Sequence, residues 1–364
     1  MSDTTDSITV AGSVSFGWLH AEGGFTFDEA FFMDPAARLE RERTLQACVA
    51  GRFPGLPIYV LEASLVQVEG RQRPVVLVGG LQPNLLLGAA LGAPLVFPGD
   101  RDPDIASAPL AGSRIPERLA SVDWAARWPF SAFLEQVERA KESFGRTHVI
   151  VPPFFWDTTG RATVHGLLTT AVKLAGQEFL LQMADDPPYA RAALEALAEA
   201  YLRLIRLFAR AAEMTVTGLH VGECSAGMIG PGRFRDFVLE PTCRLARETG
   251  PVRLHSCGRS DHLLEVFAGI EPLACLNLGS GTCLDAVRRR FGMLRVDLLP
   301  DSRLLTEAAP EEVDVWVRRT LTENAGGPLE IQYHLDAGQR VENAVRIHHA
   351  LSAAGVQRRR VPVY

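Results

Sequence analysis

VTGLHVGEC (216–224), PGRFRDFVLEPTCRLARETG (231–250) and VRLHSCG (252–258) follow one another with only short gaps between them. The first and third are short apolar runs bounded by Gly and Pro. The second carries Phe, Val and Leu at helical spacing. The pattern predicts strand, helix, strand. The same alternation continues with helix DHLLEVFAGI (261–270), strand ACLNLGSG (274–281), helix CLDAVRRRFG (283–292) and strand MLRVDLL (293–299). Helix PEEVDVWVRRTLTENAGG (310–327), strand LEIQYHLD (329–336) and helix VENAVRIHHALSAAG (341–355) complete it. Such βα units imply a parallel sheet with helical crossovers. No G-x-G-x-x-G opens a helix after a first strand and no Walker A sequence occurs, so dinucleotide and P-loop folds lose their best evidence. The α/β architecture expected is a (β/α)8 TIM barrel, with its site at the C-terminal strand ends.

Upstream of this run, THVIVPPFF (147–155) reads as a strand and RATVHGLLTTAVKLAG (161–176) as a helix. FLLQMADD (179–186) is a short helix, and residues 187–214 form a long amphipathic one with Ala and Leu at helical spacing. IYVLEASLV (58–66) and PVVLVGGL (74–81) read as strands, and PNLLLGAALG (83–92) as a short helix. Residues 24–52 read as an N-terminal helical extension, with Asp34 as N-cap and Pro35 as first helical residue. Residues 1–15 read as a polar tail. With no repeat and no linker, one barrel domain accounts for residues 1–364.

Composition narrows the function. The 37 basic and 43 acidic side chains give a net charge of −6, without the basic footprint of a nucleic-acid binder. Only Lys141 and Lys173 are lysines, and both fall in helical patterns, which disfavours Schiff-base chemistry. MSDTTDSITVAGSVS has neither the basic nor the apolar region of a signal peptide. The apolar stretch Leu85 to Phe97 is too short and broken to span a bilayer. Six cysteines without a C-x-x-C pair do not suggest a disulfide framework. A cytoplasmic protein with free thiols and no membrane partner is expected. Arg358 to Arg360 read as a solvated tail, with a contact to the second subunit of a homodimer as the alternative.

Polar residues close three strands: Glu223-Cys224, His255-Ser256-Cys257-Gly258 and Tyr333-His334-Leu335-Asp336. His255 and Cys257, two apart on a strand, share a face. An imidazole and a thiolate side by side are two of the four ligands that zinc takes. The spacing alone leaves a buried histidine beside a buried thiol as the alternative. Cys224, Glu223 and His334 are candidates for the remaining positions. Parity places Cys224 with His220 and Gly222, and Glu223 with Leu219 and Val221, without saying which face turns inward. Cys48, Cys243 and Cys275 read as structural, while Cys283, after GSGT, falls closer to a strand end. Phe155 and Trp156 follow a strand and either wall a pocket or fill the core.

With these residues the chain resembles the uroporphyrinogen decarboxylase superfamily. The resemblance rests on MDPAARLERERTLQACVAGRFPGLPIY (33–59), VPPFFWDTTG (151–160), ECSAGMIGPGRFRDFVLEP (223–241), LHSCGRSDHLLEVF (254–267) and HLDAGQRVENAVRIHHAL (334–351). HSCG is the most specific of these. The resemblance implies the same barrel. True uroporphyrinogen decarboxylases carry an N-terminal arginine motif for the substrate's carboxylates, whereas FGWLHAEGGFTFDEAF (16–31) has no arginine. The branch of methylcobalamin:thiol (coenzyme M type) methyltransferases binds zinc through His-x-Cys and a later Cys. Its first two ligands match His255 and Cys257, and His334 stands near the place of the third. The resemblance therefore implies zinc held by His255, Cys257, Cys224 and His334, with Glu223 as a catalytic acid/base group. Phe155, Trp156 and Tyr333 would shape the pocket for a small-molecule substrate. The methyl donor or acceptor would be a corrinoid on a separate protein. A metal-assisted decarboxylase or lyase, with Arg259 clamping a substrate carboxylate, is the second expectation. A non-catalytic barrel holding a metal or tetrapyrrole is the third.

Overall fold

The βα alternation folds into one curled parallel sheet. The computed structural model describes residues 8–60, 65–68 and 71–356. The sheet strands are β1 (Ile8–Val14), β2 (Ile58–Val60), β3 (Arg161–His165), β4 (Gly218–Gly222), β5 (Val252–Ser256), β6 (Leu273–Gly279), β7 (Arg295–Leu299) and β8 (Leu329–Leu335). Their order is β2-β1-β8-β7-β6-β5-β4-β3, and every pairing is parallel. Six consecutive strands thus lie side by side in chain order, and the last returns beside the first, as in a (β/α)8 barrel. Past β3 the wall continues. The Trp156 amide donates to the Arg161 carbonyl and the Thr163 amide to the Phe154 carbonyl, each at 2.8 Å. The strand just before them, Val149–Val151, pairs parallel with Arg71–Leu77.

Outward strand positions hold the fold together. Leu219, Val221, Val252, Leu254, Leu276, Leu278, Val296, Leu298 and Ile331 are all buried against the helical layer. Each such side chain stabilises by about 1.5–3 kcal/mol. The longest helix, Pro187–Ala211, starts where the Asp186 carboxylate accepts the Tyr189 amide. Its buried stripe of Ala190, Leu194, Leu197, Tyr201, Leu204, Ile205 and Phe208 follows the helical repeat. No helix among the described residues is long and apolar enough to cross a membrane.

The N-terminal part differs from expectation. Residues 8–14 are not tail: ITVAGSV is β1, seated between β2 and β8 with Val10 opposite Ile331. The helical extension is three helices, Phe16–Gly23, Glu29–Met33 and Pro35–Arg52, the last capped by Asp34 as expected. RATVH, read as the start of a helix, is β3, and the helix begins at Leu167. Both missed strands alternate polar and apolar residues because one face of each lines a polar barrel interior. The remainder of the expected tail at 1–7, residues 61–64 of the expected strand 58–66, and Arg358 to Arg360 lie outside the described residues.

Candidate metal centre

Charged side chains fill the lower barrel interior. Arg253 on β5 donates from Nε to Asp297 at 2.7 Å, from a terminal nitrogen to His220 Nδ1 at 3.0 Å, and from the other to Gln332 at 2.9 Å. Arg295 bridges Asp297 at 2.9 Å and Glu330 at 2.7 Å. Gln332 and Thr9 also donate to Glu330. A buried charge left unpaired costs several kcal/mol. Here the two guanidinium groups of Arg253 and Arg295 meet the two carboxylates of Asp297 and Glu330.

Above this layer, the ends of β4 and β5 bring three donors together. The ligand atoms of Cys224, His255 and Cys257 all lie within 4.8 Å of one another. The Cys257 thiol is open to solvent, and the Cys224 thiol and the imidazole are half-buried. Two sulfurs and a nitrogen suit zinc, and three protein donors leave a fourth position for a substrate. The His255 ring is oriented for this. Its Nδ1 donates to Asn277 Oδ1 at 2.7 Å, because the Asn277 amide nitrogen is already spent on the Asp297 carbonyl at 3.0 Å. Nε2 therefore keeps its lone pair. The Cys257 thiol is pushed down to about 4, chiefly by the hydrogen bond from Cys224. The same bond to Cys257, then burial, pushes the Cys224 thiol up. The pair shares one negative charge, a form ready for a cation.

The parity left open by the sequence is resolved by burial. Cys224 belongs to the inward set with His220 and Gly222, while Glu223 turns outward. The Glu223 carboxylate accepts the Thr169 amide and hydroxyl, each at 2.8 Å, and the Leu168 amide at 3.2 Å. It thus occupies the N-terminus of the helix Leu167–Ala175, where negative charge is favoured. A Cβ at Gly166 would stand 2.1 Å from Glu223 Oε2, so a glycine is required there. Burial raises the Glu223 carboxyl to about 7, and the Thr169 hydroxyl and backbone donors pull against that rise. Its oxygens face the helix, so it positions the end of β4 and is not placed as an acid/base group.

His334 does not join the donor group. Its Nδ1 lies 2.8 Å from the Ser13 hydroxyl, on the part of the wall formed by β8 and β1. Standing at a strand end is not sufficient, because β6 and β7 separate β8 from β5. Asp336 accepts the Ser15 hydroxyl at 2.6 Å. Tyr333 points away from the pocket: its hydroxyl lies 2.6 Å from Nε2 of the buried His348, and its ring covers Gly12. Phe155 is buried in the core, whereas Trp156 is 47% exposed with its ring centroid 4.3 Å from that of His220. Arg259 is an exposed side chain paired with Asp261 at 2.9 Å, not a buried clamp. Cys283 is exposed and donates its amide to Asp261. Asn277, Arg253, His220 and His165 were not singled out from the sequence. Their signal is period-2 polar alternation within short strands.

The family model for uroporphyrinogen decarboxylase (URO-D) matches residues 84–329. Among solved structures, the chain is similar to a methyltransferase from Methanosarcina mazei, with a TM-score of 0.62 and 17% identity over 96% of this chain and 95% of that one. It is also similar to a B12-independent methionine synthase from Shewanella in complex with selenomethionine, with a TM-score of 0.41 and 11% identity over 96% of each chain. Comparison with curated proteins returns no match.

Proposed function

Because the chain belongs to the uroporphyrinogen decarboxylase family, and its barrel gathers two thiols and an imidazole at one mouth, we propose that it is a zinc-dependent methyltransferase. The observation that carries this reading is the convergence of Cys224, His255 and Cys257. A fold shared with a Methanosarcina methyltransferase supports it. Zinc bound there would lower the pKa of a substrate thiol and hold its sulfur. The chain's own residues prepare the place. Asn277 fixes the tautomer of His255, the Cys224–Cys257 pair supplies negative charge, and Glu223 anchors the strand end that carries Cys224. The exposed face of Trp156 walls the approach. In the transfer, the sulfur gives up its proton to solvent and forms a bond to the methyl carbon, while the donor keeps the electron pair of the bond that breaks. The resemblance to the methylcobalamin:thiol branch is what supports a corrinoid on a separate protein as the donor.

Decarboxylation has less support in the site. Arg259 is engaged by Asp261, and all three nitrogens of Arg253 already have partners inside the barrel. The deciding experiment is elemental analysis of the purified protein, followed by thiol methylation from methylcobalamin. About one zinc per chain and thiol-dependent demethylation are expected. A protein that holds no zinc after reconstitution sinks the reading.

A further inference from the structure

Two thiols in one place can do more than hold a metal. Gly222 faces His255 across β4 and β5, and the ladder continues one step further, where the Glu223 amide donates to the His255 carbonyl at 2.9 Å. Cys224 and Cys257 each stand two residues beyond that pair, so they leave neighbouring strands at the same level. Such strands run roughly 4.8 Å apart, inside the Cα spacing of about 4.4–6.8 Å over which disulfides close. The two sulfurs already lie within 4.8 Å of each other. A Cβ built on Gly258 meets nothing within 4 Å, so the turn that carries Cys257 has room for its sulfur to swing.

The two thiols are unequally exposed. Cys257 is open to solvent and Cys224 is half-buried, so a small oxidant meets Cys257 first. The remaining cysteines are placed otherwise. Cys243 and Cys275 are buried, and Cys48 and the exposed Cys283 stand outside the group.

We propose that Cys224 and Cys257 form a peroxide-sensitive pair, which closes to a disulfide when no metal holds it and cannot take a metal until a dithiol reopens it. The Cys257 sulfur, as thiolate, attacks one oxygen of hydrogen peroxide. The O–O bond breaks, Cys257 becomes a sulfenic acid, and the departing hydroxide takes up the thiol's proton as water. The Cys224 sulfur then attacks the Cys257 sulfur, the S–O bond breaks, and a second water leaves with the Cys224 proton. Together the two sulfurs lose two electrons, and the peroxide gains them. Metal ligation needs thiolates, which the disulfide no longer offers. Zinc on both sulfurs would in turn withhold them from peroxide, so the chain is oxidised when empty and spared when loaded.

The test treats the full chain, stripped of metal with EDTA, with a small excess of hydrogen peroxide, and maps the unreduced peptides by mass spectrometry. Wild type should lose two of its six free thiols and yield one peptide pair joined through Cys224 and Cys257. Dithiothreitol should restore both thiols. Cys224→Ser should instead leave Cys257 carrying added oxygen, and Cys283→Ser should behave as wild type. A bond between Cys257 and Cys283, a bond between chains, or oxygen added to wild-type Cys257 without a disulfide overturns the proposal. If Cys224→Ser does not fold, the wild-type peptide map alone decides. Wild type loaded with zinc should release one zinc per disulfide formed, read with a chromophoric chelator, and a disulfide formed with all zinc retained overturns the proposal. A protein that takes up no zinc defeats the methyltransferase reading and leaves the metal-free map to decide this one.

Discussion

His255 and Asn277 stand opposite each other on β5 and β6, and their side chains meet at 2.7 Å. The contact decides which imidazole nitrogen faces the two cysteines. Removing it should cost metal affinity without removing a ligand. Asn277→Leu is expected to weaken zinc binding about 10- to 100-fold, the usual effect of losing such a partner. Competition with a chromophoric chelator measures it, and unchanged affinity would show that the ring is held by other means.

Metal content should separate the sulfur donors from His334. Cys224→Ser and Cys257→Ser should each lose most bound zinc, whereas His334→Ala should keep it, because the His334 ring is occupied with Ser13. Zinc loss in His334→Ala would place this residue back among the ligands.

Glu223 makes a prediction about pH. Its carboxyl is raised in the folded protein to about 7, from an ordinary value of 4.5, chiefly by burial. The folded state therefore binds the proton more tightly than the unfolded chain does. The stability this supplies is complete below about pH 4.5 and is lost as pH rises through 7. Denaturant unfolding of wild type and Glu223→Gln should show the difference between them falling by on the order of 3 kcal/mol across that window. A constant difference would mean that the helix N-terminus holds the carboxylate ionised throughout.

Gly166→Ala should be damaging at a residue outside the group of Cys224, His255 and Cys257. Its Cβ would collide with Glu223 Oε2 at 2.1 Å, and overpacking of this kind costs about 1–3 kcal/mol. Because Glu223 precedes Cys224, zinc affinity should fall together with the melting temperature. Thermal melts and zinc titration on the same samples check both effects.

The barrel was legible where strands are buried on one face and their helices are long. VRLHSCG and LEIQYHLD fall on β5 and β8, and the cap formed by Asp34 and Pro35 starts its helix as expected. ITVAGSV and RATVH were not legible, because polar residues on the lumen face dilute the apolar signal of a strand. The pair His255 and Cys257 could be read from spacing, since period 2 is local. His334 could not be placed, since its distance from them depends on how many strands intervene around the wall. The choice between Cys224 and Glu223 needed the helix Leu167–Ala175, whose Thr169 lies 54 residues from the carboxylate it holds.

The four interlocked charges of the lower lumen bind the fate of one position to that of another. Arg253 and Asp297 share a 2.7 Å contact from which water is excluded, and each is also held by a further partner. A change at either one alone strands the other's charge in the interior, whereas a joint change to neutral residues of matching volume need not. Divergence of this barrel should therefore proceed by paired replacements below the group formed by Cys224, His255 and Cys257. Single replacements are tolerated instead at the rim, where Arg259 meets solvent.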